Sequence, residues 1–195
     1  MLHIKKGNPW LFWPSHICDT FPEYAANRIL SGNKEFELHV DLTIKETEGV
    51  IGTLFTLLPH YTAMDIYEGR LLFTMMNEDK ETTYWDLPVP IYEDVHLNII
   101  WKHIPNKTFT VFINKRKVHE VDLTEKAFAT EQEPHIIIGA GNFPKNGFNL
   151  NYTDIELQEF KVIENDITIC HHTFQEFIYD KSVDITGNCN FINKI

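Results

Sequence analysis

Glu35-Phe36-Glu37-Leu38-His39-Val40-Asp41-Leu42-Thr43-Ile44-Lys45 places an apolar side chain at every second position, with polar or charged side chains between. Successive side chains of a strand point to opposite faces, so this alternation is a half-buried β-strand. Leu38, Val40 and Leu42 are expected inside, His39 and Asp41 largely exposed. Working outward, further strands read at 50–58, 70–76, 95–101, 108–114, 117–123, 134–139, 154–163 and 167–179. Turn residues separate them: Glu48-Gly49, Glu68-Gly69, Asn77-Glu-Asp, Pro105-Asn106, Gly139-Ala-Gly-Asn and Asn146-Gly147. Helical periodicity is confined to 21–30 and 124–130, each enough for a short turn of helix. Many short strands at close spacing, with aromatics at 13%, specify an all-β, two-sheet antiparallel sandwich with little helix.

The chain has 195 residues, no long polar linker and no internal repeat, which fits one domain. Residues 1–33 read as an N-terminal segment packing on the sandwich, and 34–195 as the sandwich itself. Lys and Arg number 17 against 28 Asp and Glu, a net charge of −11. Phosphate neutralisation needs clustered cations, so neither nucleic acid nor an anionic membrane is an expected partner. No apolar run approaches the roughly 20 residues of a membrane span, and the N-terminus lacks a signal peptide's apolar stretch. Three cysteines (Cys18, Cys170, Cys189) cannot all pair within the chain, which favours a reducing compartment; a Cys170–Cys189 bridge is left open. Asn106-Lys-Thr and Asn151-Tyr-Thr are acceptor sequons for a chain on a eukaryotic secretory route.

From Lys34 to Asn165 the order of strands and turns resembles the laminin G-like, concanavalin A-like lectin–glucanase superfamily of jelly-roll domains. The resemblance is carried by Lys34-Glu-Phe-Glu-Leu-His-Val-Asp-Leu, Met64-Asp-Ile-Tyr-Glu-Gly-Arg-Leu-Leu-Phe, Val95-His-Leu-Asn-Ile-Ile-Trp-Lys and Thr110-Val-Phe-Ile-Asn-Lys-Arg-Lys-Val. It closes on Ile136-Ile-Ile-Gly-Ala-Gly and Tyr152-Thr-Asp-Ile-Glu-Leu-Gln-Glu-Phe-Lys-Val-Ile-Glu-Asn. The chain departs from the family at the 110–118 hairpin, which lacks a glycine, and at Thr153, where glycine is usual. Phe174-Gln-Glu-Phe-Ile-Tyr-Asp-Lys-Ser-Val-Asp-Ile-Thr-Gly-Asn is similar to the family's first strand and loop, yet follows the strand that usually closes the domain. A circular permutation is the favoured explanation, because 1–30 shows no competing first strand; a strand lent to a second copy is the other.

Asp154, Glu156 and Glu159 invite a glycosidase reading, since retaining hydrolysis needs two carboxyl groups about 5 Å apart. Without a bulge Glu159 faces away from Glu156, and an ordinary closing strand is favoured. Asp180, Ser182 and Asp184 alternate oxygen ligands as a calcium loop does, against a plain Asx-type turn on a rim loop spanning 180–188. The turn is the favoured reading, so no cofactor is expected; calcium is the one ion these residues could hold. His171 and His172 cannot chelate one ion from adjacent strand positions, and His39 and His119 are expected on outward faces. The sequence offers no nucleophile motif, and no enzymatic activity is expected. Loop aromatics beside polar groups are the equipment for sugar recognition, which singles out Tyr84 and Trp85 on a connection, with Tyr61 and Asn142. Trp10 and Trp13, flanked by prolines that oppose strand continuation, are candidates for plugging the sandwich or contacting other subunits.

The resemblance therefore implies a non-catalytic binding module recognising a glycan or protein surface, as in adhesion. The second reading is a structural or decoration protein of a virus or phage particle, displayed at the virion surface. The third is a glycoside hydrolase. These rest on fold analogy more than on a site.

Overall fold

The computed structural model describes residues 1–7, 10–12, 30, 34–46, 51–58, 62–127, 135–141, 151–174, 177–178, 181–182 and 191–192. In chain order the strands are β1 (Leu2–Ile4), β2 (Trp10–Phe12), β3 (Phe36–Ile44), β4 (Ile51–Leu58), β5 (Thr62–Tyr67) and β6 (Arg70–Met76). Next come β7 (Thr82–Pro90), β8 (His96–Ile104), β9 (Thr108–Ile113), β10 (Arg116–Asp122), β11 (His135–Ile138) and β12 (Ala140–Gly141). The last are β13 (Asn151–Tyr152), β14 (Ile155–Glu164), β15 (Ile167–His172), β16 (Phe177–Ile178), β17 (Lys181–Ser182) and β18 (Phe191–Ile192). No helix occurs among the described residues. Two antiparallel sheets form a jelly-roll sandwich: β1-β14-β3-β8-β9-β10, with β15 also on β14, faces β16-β17-β18-β2-β11-β4-β5-β6-β7. A two-stranded ladder, β12-β13, lies beside them.

The inner faces meet on aromatic rings. Trp101 lies 4.7 Å from Phe55, 5.8 Å from Phe73 and 5.6 Å from Phe109, all fully buried. Leu38, Val40 and Leu42 are buried as the alternation requires. His39 and Asp41 are not largely exposed; their side chains keep only 17% and 21% of their accessible surface. The reason is position, since β3 runs between β14 and β8 and neighbouring side chains close over both.

Three hairpins turn on consecutive left-handed residues: Glu68 and Gly69, Asn114 and Lys115, Asn165 and Asp166. Two positive φ angles in a two-residue loop match the right-handed twist of the flanking strands. Lys115, at φ 66°, occupies the place where the resembling family has glycine. A side chain there costs about 1–2 kcal/mol, partly offset by the looser unfolded chain that glycine brings. Lys115→Gly is expected to raise stability by about 0.5–1 kcal/mol in urea denaturation, and no gain would contradict the turn geometry.

Several elements differ from the sequence reading. The first 33 residues supply two strands where none was expected. β1 is only three residues long, and β2 is wholly apolar between prolines, so neither shows alternation. Residues 84–88 are not a connection but part of β7. That strand is the edge of its sheet, where Pro88 and Pro90 cost few ladder bonds. The expected strand 167–179 breaks at Phe174, which takes φ 53°: β15 pairs with β14, and β16 joins the other sheet. Lys181 and Ser182 form β17 between β16 and β18 rather than rim loop. Thr124–Lys126 is a bend, its Thr124 amide donating to the Asp122 carboxylate at 2.8 Å, where a helical turn was expected; residues 21–29 lie outside the described residues.

One edge of β14 is shared. β15 covers Phe160–Glu164 and β1 covers Ile155–Leu157, both antiparallel to it. The Met1 amino group donates to the Phe174 carbonyl at 2.8 Å, so the two segments abut.

Candidate functional site

Strands β5, β6 and β7 gather aromatic and charged side chains on the outer face of the larger sheet. Thr74 lies opposite Tyr84, Leu72 opposite both Asp86 and Asp65, and Arg70 opposite Tyr67. Residues paired across strands share a face, as do alternate residues along one. Arg70 Nη1 donates to Asp86 Oδ2 at 3.0 Å, and its guanidinium carbon stands 5.6 Å from the centre of the Tyr67 ring. The Arg70 and Asp86 side chains are each more than half exposed, and Tyr84 is 47% exposed. Beside them Asp65 is buried and accepts the hydroxyl hydrogens of Thr53 (2.7 Å) and Thr74 (2.8 Å). That carboxylate ties β4, β5 and β6 together next to the exposed groups.

Trp85 turns the other way. Its ring stacks on Phe73 at 5.6 Å and lies 4.7 Å from His119, closing the gap between the edge strands β7 and β10. His119 is thus not on an outward face. A register shift between Lys117 and His119 rotates it inward, where its Nε2 is buried without a hydrogen-bond partner. Tyr61, Asn142, Asp180, Asp184 and Trp13 lie outside the described residues. Trp10 is on β2, in the interior of the larger sheet.

Sequence reasoning missed Tyr67, Arg70 and Asp86. Period-two counting from Tyr84 reaches Asp86, but the meeting of Arg70 with Asp86 depends on the bulged β6–β7 register. It missed Tyr92 also, 59% exposed on the β7–β8 connection.

The outer face of the smaller sheet carries a ladder of histidine–carboxylate contacts. His3 meets Asp154, His39 meets Glu37 (2.9 Å), His96 meets Asp41 and His171 meets Glu159 (2.7 Å). A register shift between Leu157 and Glu159 turns Glu159 to the same face as Glu156, correcting the expectation that they diverge. Each is held separately: Glu156 lies 3.7 Å from Lys45, and Glu159 accepts from His171. His172 is fully buried while His171 faces outward, and among the described residues no group of three or more His, Cys, Asp or Glu could hold a metal ion. Of the two sequons, Asn106 stands exposed on a turn, whereas Thr153 is buried and donates to the Thr53 carbonyl.

Burial pushes Glu37 up, but hydrogen bonds from Lys102 and His39 outweigh it and hold the carboxyl below its usual value. Burial lowers His39, His103 and His119; the Glu37 carboxylate opposes this at His39 and the Lys34 carbonyl at His103. These three bind fewer protons folded than unfolded, so the stability they lend is present above about pH 6.5 and lost as pH falls below it. The melting temperature is therefore expected to decline from pH 7 to pH 5. His119→Phe, which keeps a ring against Trp85 and removes the titrating group, should flatten part of that slope. A wild-type profile without slope would refute the assignment.

No protein-family model matches the chain, and no curated protein matches its sequence. Solved structures do match in fold. A Bacteroides ovatus protein proposed to bind carbohydrate has a TM-score of 0.60 at 11% identity, covering 98% of this chain and 58% of its own. Domains LG4-5 of the mouse laminin alpha1 chain give 0.52 at 11% identity, covering 85% and 42%. The botulinum neurotoxin serotype D binding domain gives 0.52 at 8% identity, covering 98% and 38%. The chain thus spans less than two thirds of each of these structures, and the likeness is one of fold alone, an antiparallel jelly roll.

Proposed function

We propose that the chain is a non-catalytic binding module that recognises a glycan through the outer face of β5–β7. The observation that carries this is the grouping of Tyr67, Arg70, Asp86 and Tyr84, the exposed or half-buried members of a sheet face whose Ala63, Asp65, Leu72 and Thr74 are buried. The exposed Tyr84 ring accompanies a fixed donor and a fixed acceptor, which is what a pyranose needs: its C–H face stacks and its hydroxyls pair. Support also comes from the fold neighbours, one proposed to bind carbohydrate and another a toxin binding domain. The absence of catalysis in this reading is supported by Glu156 and Glu159, each engaged by a different side chain, Lys45 and His171. The pairing of β1 with β14 takes away the ground on which a circular permutation was favoured, and Phe177–Ile178 joins the larger sheet rather than β14 or β3.

A glycan array probed with the labelled chain tests the reading. For the best-binding oligosaccharide, Tyr84→Ala is expected to weaken affinity about tenfold or more with an unchanged melting temperature, since Tyr84 is exposed and its loss leaves the core intact. Binding to no glycan, with retention of a protein partner instead, would turn the reading toward a protein surface.

A further inference from the structure

We propose that the Tyr67–Arg70–Asp86–Tyr84 face selects uncharged pyranosides through two neighbouring hydroxyls and rejects sialylated and sulfated glycans. This rests on the glycan reading above and names the ligand class. Arg70 is the sole cation in the sequences of β4, β5, β6 and β7, and its guanidinium is already paired with Asp86 at 3.0 Å. The pair is electrically neutral, so it offers a sugar anion no net attraction. Docking a carboxylate or sulfate on Arg70 would set it against Asp86, and like charges in contact are unfavourable. The whole chain adds to this, at a net charge of −11.

The hydrogen-bonding capacity left over suits a diol. A guanidinium has five N–H donors, and Nη1 directs one to Asp86, leaving others for an acceptor. The Asp86 carboxylate has a second oxygen, which only accepts. A hydroxyl both donates and accepts, so of two adjacent hydroxyls one donates to Asp86 and the other accepts from Arg70. The Tyr67 ring beneath the guanidinium and the Asp86 carboxylate beside it restrict Arg70's rotamers, so less ordering is required on binding. Tyr84, two residues before Asp86 on the same strand face, supplies a ring for the sugar's apolar side.

The test compares neutral oligosaccharides on an array with their sialylated and sulfated counterparts, followed by titration of the strongest binder. The expected result is binding of neutral glycans, weakened at least tenfold by Asp86→Asn and by Arg70→Gln, with melting temperatures unchanged because both side chains are exposed. Charged glycans should bind at least tenfold more weakly than their neutral parents. Preference of the parent chain for charged glycans, or no gain in their binding on Asp86→Asn, which leaves Arg70 an unpaired cation, would overturn the selectivity while leaving glycan recognition standing. Neutral binding indifferent to both substitutions would overturn the location. Binding to no glycan of any class would overturn the glycan reading and this inference with it.

Discussion

A Val40→Asp chain is expected to show no cooperative unfolding transition and to collect in the insoluble fraction. Val40 is fully buried on β3, the strand flanked by β14 and β8, and it lies between Phe160 and Ile99. No Lys or Arg is buried among the described residues, so none is at hand to pair with a carboxylate there. An unpaired buried charge costs several kcal/mol, and the lost valine contacts roughly 1.5–3 kcal/mol more. The sum rivals the roughly 5–15 kcal/mol of a typical domain. Val40→Ala loses two methyl groups, about 0.8 kcal/mol each by transfer alone, and should remain folded. A soluble Val40→Asp protein with the parent melting temperature would show that β3 faces the other way.

The second large effect is expected at Gly139. Its φ is +83°, and a Cβ there would sit 2.6 Å from Cγ2 of the buried Ile4. Its amide donates to the Leu54 carbonyl at 2.7 Å and its carbonyl accepts from the Thr153 amide at 3.0 Å. The residue therefore ties β4 to the segment leading into β14, while Ile4 of β1 presses on it. Gly139→Val incurs about 1–2 kcal/mol for the left-handed backbone and about 1–3 kcal/mol for overpacking. Gly7→Val is the matched control, since Gly7 has φ +87° and open space around the added atom. In urea denaturation Gly139→Val should lose clearly more stability than Gly7→Val. Equal losses would remove the packing part of the argument.

What the sequence revealed follows from where water reaches. β3, β8 and β14 bury one face and present the other to solvent, so their alternation is plain in the sequence. β5 is buried on both faces along most of its length, and a strand without a wet side has no alternating pattern to display. β7 carries two prolines that read as breakers, and only its place at the edge makes them harmless. The bulges at Glu159 and His119 reversed two facing assignments, because one inserted residue flips all that follow. The candidate site divides the same way. Tyr84 stood out as an aromatic among polar neighbours, whereas Arg70 and Asp86 are unremarkable charges until the β6–β7 register joins them.

The sharing of β14's edge between β15 and β1 has a consequence for how the chain is made. On a ribosome β1 emerges well before its partner β14, with twelve strands between them in sequence. β2 likewise waits for β11 and β18. Leu2, Ile4 and the apolar β2 segment must therefore remain unpaired until most of the chain has been synthesised. Pairings this distant in sequence are the slow part of β-sheet folding, and they leave apolar segments open to wrong partners meanwhile. The seam between β1 and β14 thus closes late, and the need for chaperoning is concentrated in β1 and β2 until their partners are made.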